Sequence, residues 1–137
     1  MHFEKRTATL VLDMKILLID DDEALTTIFT AALTKEGFQV VVVGTGQEGI
    51  DKATTETPHL ILLDQVLPDL SGNDILKQLK LDEKTKNIPV IILSNFSQEE
   101  LVKEAINAGA VDYVFKYQVE VKDVIEKIKR ALGQIPN

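Results

Sequence analysis

The sequence contains no cysteine. Disulfide staples and thiolate metal sites are therefore excluded, and the absence agrees with a reducing cytosol. Histidine is almost as scarce. His2 and His59 are too far apart in sequence and character to suggest a metal centre or a catalytic triad, and His59 reads as a cap at a strand entry. Basic residues are in the minority, 15 against 22 acidic ones. The net charge of −7 argues against a domain that grips nucleic acid by itself, because phosphate backbones need basic surface. No apolar run approaches the roughly 18 residues of a membrane span. The uncharged stretch from Thr7 to Leu12 is too short for a secretory core. What remains is a chain of 137 residues, 45% of them hydrophobic, long enough to bury one core unaided. A soluble, single-domain, cytoplasmic protein without membrane contact is expected.

Residues 1–13 read as an N-terminal extension, although Thr7-Ala-Thr-Leu-Val-Leu12 has the propensity of a sheet-edge strand. Residues 14–137 form the domain. Ile16 to Ile19 is a first buried strand, followed by a helix to Glu36 with Leu25, Ile28, Phe29 and Ala32 on its apolar stripe and Gly37 as its stop. Val40 to Val43 is a second strand, and a weaker helix runs from Gln47 to Glu56 before Pro58. Leu60 to Leu63 is an unbroken apolar run, which suits a strand buried on both faces. Asp64 ends that run, Pro68 and Gly72 break the backbone, and a third helix from Asn73 buries Ile75, Leu76 and Leu79. A fourth strand spans Val90 to Leu93, ending in Ser94. Ser97-Gln-Glu-Glu100 reads as a capping box for a helix closed by Gly109. Val111 to Phe115 is a fifth strand ending in Lys116. A last helix buries Val121, Val124, Ile125, Ile128 and Leu132. Five strands alternating with five helices through short connections demand a parallel α/β sheet, (βα)5, with helices on both faces; with strand order 2-1-3-4-5 such a doubly wound sheet would be flavodoxin-like.

Parallel strands all end on one edge of their sheet. Here those ends carry Asp20 and Asp21, Asp64, Ser94 and Lys116, while the second strand ends at Gly44 with no chemistry of its own. With strand order 2-1-3-4-5 these residues converge at the topological switch point, where open α/β sheets bind ligands. Three crowded carboxylates repel one another unless a cation neutralises them, and all-oxygen ligation suits Mg²⁺. A hydroxyl and an ammonium complete a phosphate cradle. Such a set is built to form an aspartyl-phosphate.

The segments Ile19-Asp-Asp-Asp22, Leu63-Asp64 with Pro68 and Gly72, Ile92-Leu-Ser94 and Asp112-Tyr-Val-Phe-Lys116 together resemble the receiver domain of bacterial response regulators, over about residues 15–133. The resemblance implies that Asp64 accepts a phosphoryl group from the phosphohistidine of a sensor histidine kinase or phosphotransfer protein. It implies that Asp20, Asp21 and Asp64 hold Mg²⁺ with the main-chain carbonyl of Val66. Ser94 and Lys116 would bind the phosphoryl oxygens, and Tyr113 matches an aromatic that turns inward on activation. The fourth helix, fifth strand and fifth helix would then show a changed face to a downstream protein target, or to a second copy in a phosphorylation-dependent homodimer. Such a domain is a phosphoacceptor and not an enzyme in the ordinary sense. Asp22 reads as an N-cap. Four positions depart from the family pattern. Tyr117 follows the lysine where Pro is usual, Asn95 replaces a small residue, and apolar Val66 and Phe96 flank the site.

Two other readings are open. Asp20-x-Asp22 with Ser94 and Lys116 also resembles haloacid-dehalogenase phosphatases, with Asp20 as nucleophile and Asp22 as general acid. Against it, Ala24 stands where Thr or Val is expected and no late acidic pair closes the fifth strand. The second is a pseudo-receiver that docks without taking phosphate. Gly44-Thr-Gly-Gln-Glu-Gly49 matches a dinucleotide-binding pattern, but it follows the second strand and too little chain remains, so glycines shaping a turn explain it better.

Overall fold

The computed structural model describes residues 14–116 and 118–136. The expectations for residues 1–13 and for Tyr117 lie outside the described residues.

Five parallel strands, β1 (Lys15–Ile19), β2 (Gln39–Val43), β3 (Leu60–Asp64), β4 (Val90–Ser94) and β5 (Asp112–Phe115), form one sheet in the order β2-β1-β3-β4-β5. Between and after them lie α1 (Glu23–Lys35), α2 (Gly46–Glu56), α3 (Gly72–Leu81), α4 (Glu99–Asn107) and α5 (Val121–Ala131). The fold is the flavodoxin-like (βα)5 that the alternation predicts. β3 and β4 are buried at every residue, the signature of strands covered on both faces.

Side chains alternate across the sheet and feed two cores. Leu17, Ile19, Ile61, Leu63, Val90 and Ile92 point to the face covered by Ala53 of α2, by Ile75, Leu76 and Leu79 of α3 and by Ala105 of α4. Ile16, Leu18, Leu60, Leu62, Ile91 and Leu93 point to the face covered by Phe29 and Leu33 of α1 and by Val124 and Ile128 of α5.

Caps fix where several helices begin. Asp22 accepts from the Leu25 amide at 3.1 Å, as the sequence suggests. Thr45 accepts from the Glu48 amide and Ser71 from the Asp74 amide. Gly37 and Gly109 follow α1 and α4 with φ of 96° and 109°, a region that costs a residue with a Cβ. His59 Nδ1 accepts from the Lys15 amide at 2.9 Å and so ties the entry of β3 to β1.

Four local expectations are corrected. The buried stripe of α1 is Thr26, Phe29 and Leu33; Ile28 is 56% exposed, because the helix is rotated so that the i, i+3, i+7 row from Thr26 meets the sheet. Ser97 does not cap α4: Gln98 is its N-cap and no side chain caps it. Val111 precedes β5 and is exposed. Gly46 and Gly49 lie in α2 and serve close packing rather than a turn, since a Cβ would fall 2.7 Å from Ile75 and 2.5 Å from Ile19.

Candidate functional site

Register places the chemistry. Ile19 pairs with Leu63, so Asp20 and Asp64 leave the sheet side by side. Asp64 pairs with Leu93 and Ser94 with Phe115, which sets Ser94 and Lys116 on the other flank. Backbone bonds continue the ladder past the strands: Gln65 N–H donates to Leu93 O and Lys116 N–H to Ser94 O.

The side chains then meet. Lys116 Nζ lies 2.8 Å from Asp20 Oδ2 and 3.1 Å from Asp64 Oδ1. All three side chains are nearly fully buried. Asp21 is exposed at the rim. One carboxylate oxygen each from Asp20, Asp21 and Asp64 lie within 4.8 Å of one another. Asp20 Oδ1 accepts from the Asp22 amide, whereas Asp20 Oδ2 is buried against the Lys116 ammonium. A buried oxygen of this kind, in an all-oxygen donor set, fits a hard divalent cation.

Burial, and then the charge of Asp20, push the Asp64 carboxyl up to about 6; Lys116 and the Val66 amide oppose this and are outweighed. Burial alone would lower Lys116, but its hydrogen bond to Asp20 and the charges of Asp64 and Asp20 prevail, and the ammonium is held above its ordinary value. The lysine is a fixed cation.

Ser94 is fully buried. Its Oγ donates to Phe96 O at 3.2 Å and accepts from Phe96 N–H at 2.9 Å, so the hydroxyl is occupied by its own loop. The Tyr113 side chain is buried, and its hydroxyl donates to the same Phe96 carbonyl at 3.2 Å. Asp22 is engaged through one oxygen as the α1 cap.

Sequence reasoning missed three residues. Asp69 accepts from the Gly46 amide at 2.7 Å and the Gln47 amide at 3.0 Å, pinning the β3–α3 loop to the N-terminus of α2. Those bonds hold its carboxyl below the usual range. Gln65 and Asn73 form a buried amide pair beside Asp64. The available signal was a polar residue on the apolar row of α3, three before Leu76. Gly72 is the tightest backbone approach: a Cβ there would fall 2.6 Å from Asp64 O and 2.8 Å from Gln65 Cα. Gly72→Ala is expected to destabilise the protein by about 1–3 kcal/mol in urea unfolding, since backbone must move; an unchanged midpoint would contradict that.

Residues 16–129 match the family model of the response regulator receiver domain. The chain is 30% identical over 119 residues to sporulation initiation phosphotransferase F of Bacillus subtilis (strain 168), covering 85% of this chain and 94% of that protein. The fold is similar to a CheY-like receiver domain protein of Methanospirillum hungatei JF-1, with a TM-score of 0.82 and 31% identity over 88% of this chain and 94% of that one. It is also similar to the receiver domain of sensor histidine kinase PA1611 of Pseudomonas aeruginosa PAO1, solved with a magnesium ion coordinated in its active site cleft. That match has a TM-score of 0.80 and 25% identity, over 88% of this chain and 98% of that one. The chain spans about half the length of the transcriptional and DNA-binding relatives it matches, 43% to 51% of each. Among the described residues no helix is long and apolar enough to cross a membrane.

Proposed function

The chain belongs to the response regulator receiver domain family, and from that premise we propose that Asp64 is the phosphoacceptor of a two-component phosphorelay. One observation carries the reading: the Lys116 ammonium lies 2.8 Å from the Asp20 carboxylate and 3.1 Å from that of Asp64, at the carboxyl edge of the sheet.

An Asp64 carboxylate oxygen attacks the phosphorus of a phosphohistidine on a sensor kinase or phosphotransfer protein. The O–P bond forms as the P–N bond breaks, and the electron pair leaves with the imidazole nitrogen, which takes up a proton. Lys116 pairs with a phosphoryl oxygen, and Ser94 turns its hydroxyl from Phe96 O to another. Asp20, Asp21 and Asp64, with the Val66 main-chain carbonyl, would hold Mg²⁺, which when bound supplies neutralising charge to the carboxylates and the transferring group. The arriving charge draws Ser94 and Lys116 toward Asp64, and α4, β5 and α5 present an altered face. Exposed Ile106 and Val111 on that side suit a protein target or a second copy of the domain. The net charge of −7 favours protein over nucleic acid as its direct partner, and the lack of cysteine supports a cytoplasmic location.

Val66 and Phe96 stand at 53% and 43% exposure, two residues beyond Asp64 and Ser94. As apolar guards they exclude water from the acyl phosphate. Replacing both by Asn is expected to speed dephosphorylation about fivefold to tenfold, the worth of one added hydrogen bond to an attacking water. Phosphoryl decay followed by phosphate release would show it, and an unchanged lifetime would remove the guards from the account.

Acetyl phosphate and a phosphomonoester separate this reading from the phosphatase alternative. A receiver labels itself on Asp64 and leaves p-nitrophenyl phosphate intact. Steady p-nitrophenol release that Asp20→Asn abolishes would favour the phosphatase.

A further inference from the structure

Gln65 and Asn73 are 3% and 2% exposed, and every polar atom of their two carboxamides has a partner. Gln65 Oε1 accepts from the Asn73 main-chain amide at 2.9 Å, while Gln65 Nε2 donates to Asn73 Oδ1 at 3.0 Å. The same Nε2 reaches the Tyr113 hydroxyl at a longer 3.4 Å. Asn73 Nδ2 donates to Leu101 O in the first turn of α4, at 3.3 Å. A buried polar network that is fully satisfied rigidifies the elements it joins, because any other arrangement leaves an unpaired group in low dielectric. This one joins the residue after Asp64, the start of α3, the start of α4 and the Tyr113 hydroxyl.

That hydroxyl matters because of what it touches. Phe96 O accepts from Tyr113 and from Ser94, both at 3.2 Å. Ser94 leaves Phe96 if it is to bind a phosphoryl oxygen. The carbonyl then stays paired only where Tyr113 remains inward, and Gln65 supplies an inward partner before any phosphate arrives.

We propose that Gln65, braced by Asn73, is a positioning residue for phosphoryl acceptance: it holds the Tyr113 hydroxyl on the Phe96 carbonyl so that Ser94 is free to turn to the phosphoryl group. The proposal rests on the reading of Asp64 and Ser94 given above. Removing Gln65 or the tyrosine hydroxyl therefore breaks the same relay. Their effects overlap instead of adding.

The test uses beryllofluoride with Mg²⁺ as the phosphoryl mimic, titrated by calorimetry into wild type, Gln65→Leu, Tyr113→Phe and the double variant. Each single change is expected to weaken beryllofluoride binding about fivefold to tenfold, one hydrogen bond's worth, and the double change no further. Affinity for Mg²⁺ alone stays within about twofold, since no metal ligand is altered; a merely structural loss would move both affinities. The chain has two tyrosines, so 3-fluorotyrosine in a Tyr117→Phe background reports Tyr113 alone. Its fluorine resonance should shift toward the solvent-exposed position in Gln65→Leu without phosphate mimic. Wild-type beryllofluoride affinity in Gln65→Leu, or losses that multiply in the double variant, would overturn the proposal. If Gln65→Leu fails to fold, Tyr113→Phe decides, since it deletes one oxygen: unchanged affinity overturns the relay. A wild-type protein that ignores beryllofluoride would sink the Asp64 reading itself, and the relay with it.

Discussion

Replacing Asp64 by Asn stabilises the protein at pH 7.5 in the absence of divalent metal, by about 1–3 kcal/mol, and the gain disappears below about pH 4. The carboxyl rises from 3.8 to about 6 on folding, because burial and the neighbouring Asp20 disfavour its charge. A group whose folded value is raised binds its proton more tightly in the native state. Its contribution is therefore fully favourable below about pH 4 and is withdrawn as pH climbs through about 6. At pH 7.5 the native protein carries a charge it would rather not have. Two pH units of displacement correspond to about 3 kcal/mol, and the lower end of the range allows for the Lys116 contact at 3.1 Å that Asn weakens. Urea midpoints of the two proteins across pH 3.5 to 8 measure this difference, and Mg²⁺ should narrow it at neutral pH by neutralising the wild-type cluster. Curves that stay parallel across that range would show that Asp64 titrates normally.

Lys116→Met slows phosphoryl acceptance from acetyl phosphate by about 10²–10³-fold, the usual cost of deleting one preorganised group that meets developing charge. Lys116 is already desolvated and already aimed, 2.8 Å from Asp20 and 3.1 Å from Asp64, so it needs little rearrangement to meet a phosphoryl oxygen. Met keeps the length and apolar stem and removes the charge alone. The same change leaves two buried carboxylates facing each other, which raises the Asp64 carboxyl further and lowers the fraction of nucleophilic carboxylate near pH 6. The rate loss should therefore be larger at pH 6 than at pH 8. A loss that is small, or flat with pH, would place the lysine outside the chemistry.

That Asp20, Asp64, Ser94 and Lys116 leave one edge of a parallel sheet was legible in the chain pattern, whereas the order 2-1-3-4-5 came with the doubly wound fold class and not from the pattern alone. Apolar runs that end in functional residues mark buried parallel strands, and parallel strands share one edge. What pattern could not supply was rotation and pairing. The α1 row from Thr26 and the row containing Ile28 are both consistent with a helical period; only the sheet decides which is buried. Ser97 had the spacing of a capping box, but the chain begins α4 at Gln98, so no cap forms. Gln65 reads as a loop residue and Asn73 as a polar residue at a helix start until the fold sets their carboxamides 3.0 Å apart. Tyr113 stands inward with its hydroxyl on Phe96 O. That contact belongs to tertiary structure and leaves no trace in periodicity.

If Asp64 is the phosphoacceptor, it alone takes the phosphoryl group. Intact-mass and peptide spectra after acetyl phosphate and Mg²⁺ treatment test it most directly, with wild type beside Asp64→Asn. Wild type should gain one phosphoryl group, mapped to the peptide holding Asp64, and Asp64→Asn none. A wild type that stays unmodified, or an Asn variant labelled as fully as wild type, would contradict it.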